Sequence, residues 1–495
     1  MRNSRWAKAA LLLLMCLAFP RAFWTQPNAQ PGAAGNAALA SDRLSPEKLS
    51  QYSELALRWE KDYLRINTTN PPGNELAAAR WFKQIFDQEG IENQLFEYAP
   101  GRANIIARLA GDGRARPLVL LSHMDVVTSD AARWKYPPFG AQEAEGYVWA
   151  RGAQDMKSDA LAELMVMVML QREHIALRRD IIFLATSDEE VDDTGSETFI
   201  AAHRDLLRNA EYLITEGGEN LLEDGKVKYV GVDAAEKAPF WLHMVAKGRP
   251  GHGSRPIGDS ASVHLVRALN QLTNYKTELK VLPAVEQFMR DMAQYQVGDR
   301  ARCYRNIRAA VHDAACAEMI AADESLNYMF RNTISITMLG GSQQTNVIPG
   351  EAWANIDVRL LPNEDPQTFL AMIRKVVNEP GVTIEPLNKA FKPANASAID
   401  TPLFAAIRTV AARYFGAAPV VPRMTSGYTE SQMYRPLGIT CYGFSPYTAT
   451  AEEGSTEHGD NERIRVEEVR RGFRVLYDVV GIVAGSSVQA TGARP

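Results

Sequence analysis

At 495 residues, with 46% hydrophobic and 23% charged positions, the chain has the composition of a globular protein large enough for two or more cores. A net charge of −5 argues against a basic footprint for nucleic acid or for an anionic membrane surface. Four cysteines, none beside an acidic or histidine motif, argue against thiolate metal ligation.

The N-terminus reads as a targeting segment. Arg2, Arg5 and Lys8 precede the apolar run Ala9–Phe19, and a small-residue stretch ends in Ala38-Leu39-Ala40 before Ser41. A charged n-region, a short h-region and an Ala-x-Ala site define a secretory signal over residues 1–40. Export to the periplasm or beyond is therefore expected, with a tether through an uncleaved anchor as the alternative. The h-region is too short for a comfortable transmembrane helix, so no span is expected in the mature chain. With Cys16 gone, Cys303, Cys316 and Cys441 remain, and Cys303 can pair with Cys316 in an oxidising compartment.

From Ser45 the pattern predicts a leading helix, a Pro-Pro-Gly turn at Pro71–Gly73 and a helix over Glu75–Gly90. Asn104–Leu109 and Pro117–Leu121 read as paired strands. The helix Asp155–Glu173 carries Leu161, Leu164, Met165, Val168 and Met169 at helical spacing, a core stripe. Asp180–Thr186 and Tyr212–Thr215 are further buried strands. Strand and helix alternate as in a sheet covered by helices on both faces. After about Pro239 the rhythm changes to strand Phe240–Ala246, helix Ala261–Leu272 and a polar helical stretch, Ala284–Asp323. Thr333–Met338 and Ala352–Leu360 then form an antiparallel pair, with a covering helix at Asp365–Asn378. The α/β pattern resumes at Thr401–Phe415, Ile439–Phe444 and the closing helix Val466–Ala484. The fold class is α/β: a catalytic domain with a mixed sheet (41–238 and 363–485), interrupted by a smaller α+β lid (239–362). A tail, 486–495, follows.

Three apolar strands run into chemistry. PLVLL precedes Ser-His-Met-Asp, DIIFLAT precedes Ser-Asp-Glu-Glu, and YLIT precedes Glu-Gly-Gly. The carboxyl ends of strands in open α/β sheets are where ligands bind. Carboxylates gathered on one rim repel one another unless cations hold them. Five candidate ligands emerge: His123, Asp155, Glu190, Glu216 and His458. Two imidazoles and three carboxylates without sulfur suit two Zn²⁺ ions, or Co²⁺ or Mn²⁺, with Asp155 as the bridge. Asp125, two residues past His123, is placed to accept the other ring proton of that histidine. Glu189, beside Glu190, is placed to act as general base. His174, His203, His264 and His312 read as helix-surface or core residues, and His243 as a packing residue.

Together these motifs resemble the dinuclear-zinc hydrolases that include acetylornithine deacetylase, succinyl-diaminopimelate desuccinylase, aminoacylase, glutamate carboxypeptidase and carboxypeptidase S. The resemblance rests on SHMDVV at Ser122–Val127, ARGAQDMKS at Ala150–Ser158, TSDEE at Thr186–Glu190, TEGG at Thr215–Gly218 and EHGDNE at Glu457–Glu462. GRPGHGSRP at Gly248–Pro256 and TNVIPGEAWANIDVRLLP at Thr345–Pro362 match the family's lid. The long Trp134–Tyr147 segment and the Glu-Gly-Gly form look closest to the carboxypeptidase S branch. The resemblance implies the same five metal ligands, Glu189 as base and Asp125 as the residue orienting His123. It adds His252 as an oxyanion-stabilising histidine that reaches a neighbouring subunit's site, which implies a homodimer through the lid. It also adds Asn346 as a substrate ligand and Arg359 as the anchor of a substrate carboxylate. Two departures stand out: Thr215 where many relatives have aspartate, and Thr429-Glu430-Ser431 in place of a Thr-Asp pair.

The implied activity is metal-dependent hydrolysis of a peptide or N-acyl bond next to a carboxylate-bearing amino acid, with Glu189 activating a metal-bridging water. The rivals are a zinc aminopeptidase, which lacks the lid, and an inactive binding homologue, which would have lost a ligand or the base.

Overall fold

The computed structural model describes residues 39–387 and 391–485. The expected signal, apart from its last two residues, and the tail 486–495 lie outside the described residues. Leu39 is only 4% exposed and packs in the main core, and Ala40 lies against Gly481. The last two residues of the expected signal segment therefore pack on the folded domain.

The main sheet has ten strands. Leu118–His123 lies at its centre, parallel to Ile181–Thr186 on one side and to Tyr212–Thr215 on the other. Alternate residues of this strand enter different cores. Leu118 and Leu120 join the large helical side, and Val119 and Leu121 join a smaller cluster with Phe199 and Tyr434. An unbroken apolar run is what burial on both faces requires. The outer strands Glu92–Ala99 and Arg102–Leu109 pair antiparallel, and Arg102–Leu109 also runs antiparallel to Ile181–Thr186, so the sheet is mixed.

The methionine-rich helix Lys157–Arg172 is buried at every residue from Lys157 to Leu170. A helix apolar all round must be enclosed. It lies between the sheet and the helices Pro46–Leu64 and Val466–Ala484. The helix Pro46–Leu64 starts on a Ser45 cap followed by proline, a favourable helix start.

A second, five-stranded antiparallel sheet contains Leu242–Lys247, Thr333–Gly340 and Glu351–Leu360. Its core holds Leu242, Met244, Leu265, Ile356 and Val358. Phe369 and Ile373 of helix Pro366–Val376, and Ile384 of strand Val382–Pro386, belong to that same core. This layer therefore extends past the expected boundary at residue 362, because the helix and strand that follow bury their apolar faces on it.

The polar helical stretch belongs elsewhere. Val285, Met289, Tyr304, Ile320 and Phe330 pack with Ala235 and Met424 of the main sheet. Cys303 and Cys316 are joined by a disulfide, with Cα atoms 5.7 Å apart, inside this helical cluster. Among the described residues no helix is long and apolar enough to cross a membrane.

Candidate metal centre

The three parallel strands end on one rim, and each delivers an acid or an imidazole there. His123 is the last residue of its strand and is fully buried. Its Nε2 lies 3.0 Å from Asp155 Oδ1 and 3.3 Å from Glu216 Oε2. His458 arrives from a loop before the last helix, and its Nε2 lies 2.8 Å from Asp155 Oδ2 and 3.1 Å from Glu190 Oε2. Asp155 thus faces one imidazole with each oxygen. Glu216 is followed at once by two glycines with positive φ, +96° and +75°. A Cβ on Gly218 would stand 2.6 Å from the carbonyl oxygen of Gly231, so only glycine lets the chain fold back there.

Glu189 and Glu190 follow Asp188, a non-glycine residue with φ +71°. Polar contacts hold that strained turn. The carboxylate of Asp125 accepts from the amides of Glu189 at 3.1 Å and Glu190 at 3.2 Å, and from Asn70 Nδ2 at 2.9 Å. Asp188 accepts from Asn70 and from Arg102, whose guanidinium also pairs with Glu75. Asp125 therefore differs from expectation. His123 Nδ1 meets the backbone carbonyl of Asp125 at 3.0 Å, whereas the carboxylate lies 3.7 Å away and is engaged in fixing the Glu189–Glu190 turn.

The charges of the cluster respond to one another. Burial would raise the Asp155 carboxyl, but the two imidazoles override it and hold it well below the carboxylate range. Burial would lower His123, yet Asp155 and Glu216 push it well above its ordinary value. Asp155 and Glu190 raise His458 to about 10, against a smaller effect of burial. Glu216 is pushed up by burial, opposed by His123. Burial and then the Glu216 charge push Glu189 up. Protons on two imidazoles occupy the positions where cations would balance these acids.

The donor set fits divalent metal. His123, Asp155 and Glu216 converge with ligand atoms within 4.8 Å of one another. Around His458 two carboxylates compete. Glu457 forms an equally compact trio with Asp155 and His458, while Glu190 makes the 3.1 Å approach. Glu190 is the better ligand, because its Oε1 is buried without a hydrogen-bond partner and Glu457 is exposed. Although its surface is open, desolvation by the protein crowded around its carboxyl, and then the Asp155 charge, push Glu457 up to about 7, so it still belongs to the electrostatics of the centre. Sequence patterning gave Glu457 no role. Its position beside His458 in the same motif was the available signal.

The substrate-side residues lie apart from this cluster. His252 pairs with Val347 on a short exposed ribbon, and Asn346 adjoins it, its carbonyl accepting from the Gly253 amide at 2.7 Å. His252 Nδ1 contacts Ser254 Oγ at 2.8 Å. Arg359, on the strand Glu351–Leu360, is held by Asp357 at 2.8 and 3.2 Å. Among the described residues no hydrogen bond or ion pair joins these three to the acidic cluster. Glu430, at the sequence departure, is buried and accepts from Thr186 and Ser196.

Residues 119–481 match the family described as Peptidase family M20/M25/M40. The chain belongs to that family, whose fold is the mixed α/β domain with a lid. Aminoacylase-1B of Rattus norvegicus is 27% identical over 429 residues, covering 86% of this chain and 94% of the relative. Among solved structures, the M20 family metallo-carboxypeptidase Sso-CP2 of Sulfolobus solfataricus superposes with a TM-score of 0.67 at 17% identity, covering 86% of this chain and 98% of that one. Human carnosine dipeptidase 1 superposes at 0.63 and 16%, covering 88% and 97%. The chain is a hydrolase of the metallopeptidase and N-acyl-amino-acid hydrolase class.

A ligating histidine must be neutral, so metal must displace the imidazole protons. Both imidazoles have raised affinities for their protons, and His458, pushed up to about 10 by Asp155 and Glu190, carries its proton near neutral pH in the metal-free chain. Zinc binding at pH 7 should therefore release at least one proton per chain, and apparent affinity should rise as pH rises toward 10. Calorimetry in buffers of different ionisation enthalpy measures the release, and binding with no proton release would contradict the arrangement.

Proposed function

We propose that this protein hydrolyses small peptides or N-acyl amino acids at the amide bond next to a carboxylate-bearing amino acid, with two divalent ions, zinc by preference. The observation that carries the reading is Asp155 held between two imidazoles, each with a second carboxylate. That is the ligand set of a carboxylate-bridged pair, with His123 and Glu216 on one side and His458 and Glu190 on the other. The YXEP protein of Bacillus subtilis, a structural relative described as a dinuclear metal binding peptidase, supports the pair. Bound ions would supply Lewis acidity to the scissile carbonyl and to the attacking water.

Glu189 does the proton work. Its backbone is fixed through Asp125, and among the described residues no hydrogen bond engages its side chain. It takes a proton from the water and delivers it to the leaving nitrogen. Balanced by cations, its carboxyl would ionise more readily than burial alone allows. Among the described residues His252 and Asn346 make no hydrogen bond or ion pair with the cluster, which leaves them free to act on a second copy, in a homodimer paired through the lid. There His252 would donate to the oxyanion. Asp357 engages Nε and Nη2 of Arg359, and none of the described residues accepts from Nη1, which suits that guanidinium to a substrate carboxylate. The disulfide and the N-terminal pattern favour export. The Trp134–Tyr147 segment and the Glu-Gly-Gly form favour a place near carboxypeptidase S.

Glu189→Gln should retain both metals and lose turnover by about 10²–10⁴-fold, the range of general-base catalysis. Metal content and single-turnover rates measured together check this, and near-full activity would remove Glu189 from the role.

The polarity of the substrate is tested separately. A dipeptide or N-acyl amino acid should be cleaved in preference to its carboxamide. Arg359→Ala should erase most of that preference, at about 2–5 kcal/mol in kcat/KM. Equal cleavage of acid and amide by the unaltered protein would favour an aminopeptidase.

A further inference from the structure

Glu462 closes the EHGDNE motif, and neither the ligand set nor the base assignment uses it. It is fully buried, and its carboxylate accepts four hydrogen bonds. Arg151 Nη1 donates to Oε2 at 2.5 Å and the Gly152 amide donates to the same oxygen at 3.0 Å. The amides of Gln154, at 2.6 Å, and Asp155, at 3.2 Å, donate to Oε1. The turn that presents Asp155 is thus wrapped around one carboxylate from the other end of the chain.

Arg151 completes the link in the opposite direction. It is 2% exposed and stacks over Trp134, with its guanidinium carbon 5.2 Å from the ring centroid. Its Nη2 donates to the carbonyl of Gly459 at 2.8 Å, and reaches those of Thr128 at 3.3 Å and His458 at 3.4 Å. His458 is a non-glycine residue with φ +56°, a conformation that persists only where its surroundings impose it. Replacing one member of this pair would leave a buried charge without its partner.

We propose that Arg151 and Glu462 are positioning residues that hold Asp155 and His458 in register, and so set the metal position shared by Asp155, His458 and Glu190. The proposal rests on the metal-centre reading. The His123 position depends on it less. His123 and Glu216 are placed by the ends of their parallel strands and make no contact with the clasp among the described residues. His458 comes from a loop with no sheet to place it. Asp155 serves both positions, but only the second also takes a histidine from a loop that the clasp holds, so the His458 position depends on the buried ion pair more than the sheet-placed His123 position does.

The test compares the unaltered protein, Glu462→Gln, Arg151→Lys and Asp478→Asn. Asp478 is as buried as Glu462 but is bonded to Ser41 and Tyr414, away from the centre. Zinc content after dialysis against a metal buffer is read by plasma mass spectrometry, and cobalt spectra follow site-by-site filling. The unaltered protein should hold two equivalents. Glu462→Gln and Arg151→Lys should keep the first and bind the second about 10–100-fold more weakly, the usual effect of losing an outer-shell partner. Asp478→Asn should lose thermal stability and keep both equivalents. Two full-affinity equivalents in Glu462→Gln or Arg151→Lys, or equal weakening of both, would overturn the clasp. An unaltered protein that binds fewer than two equivalents would instead overturn the metal reading beneath it. If either clasp variant fails to fold, hydrogen exchange on the unaltered metal-free protein decides. The amides of Gly152, Gln154 and Asp155 should already be protected, and protection that appears only on metal loading would overturn the proposal.

Discussion

Asp155 must face two imidazoles at once while other carboxylates crowd round them. Two like charges about 4 Å apart repel by about 4 kcal/mol at an effective dielectric near 20. A domain stable by only about 5–15 kcal/mol cannot gather several such pairs without compensation. In the metal-free chain the compensation comes from protons on the imidazoles, His458 held at about 10 and His123 pushed up by Asp155 and Glu216, while burial opposes ionisation of Glu216 and Glu189. In the proposed reading, divalent ions held by these residues would supply the same balance, leaving the imidazoles as ligands and Glu189 as the proton acceptor. On that proposal, the need for cationic compensation and the capacity for amide hydrolysis would have one origin.

The architecture meets this constraint by dividing the work. Parallel strands bring His123 and Glu216 to one rim with little further help, since register alone fixes where each strand ends. The Glu189–Glu190 turn needs more. Asp125, Asn70, Asp188, Arg102 and Glu75 form a continuous polar chain that holds a left-handed residue in place. The helices buried beneath the sheet contribute rigidity to that rim. The second sheet carries Arg359, and the short ribbon of Gly251–His252 with Val347–Ile348 carries His252 with Asn346 beside it.

Much of this was legible in the residues because it depends on local pattern. Apolar runs such as PLVLL and DIIFLAT declare buried strands, and the acids just past them follow from strand polarity. Most of what escaped depends on long-range packing. The hairpin Glu219–Glu223 with Lys226–Glu236 went unread, although its Asp224-Gly225 turn, both residues at positive φ, and the alternating Lys226–Val230 flank were local signals for it. Helix Pro366–Val376 was visible as a helix, yet its attachment to the second sheet is decided by Phe369 and Ile373 meeting residues more than a hundred positions earlier. The carboxylate of Asp125 looked committed to His123 by proximity in sequence, and the Glu189 and Glu190 amides claim it instead. Glu462 looked like part of a polar turn, since only the fold brings Arg151 and the Asp155 turn onto it.

The central claim is that Asp155 bridges two metal ions, and anomalous diffraction at the zinc edge from crystals of the zinc-loaded protein tests it most directly. The account predicts two anomalous peaks about 3.5–4 Å apart, the usual spacing of such pairs. Each should contact one oxygen of Asp155, one peak lying with His123 and Glu216 and the other with His458 and Glu190. A single peak, or two peaks of which only one touches Asp155, would contradict it.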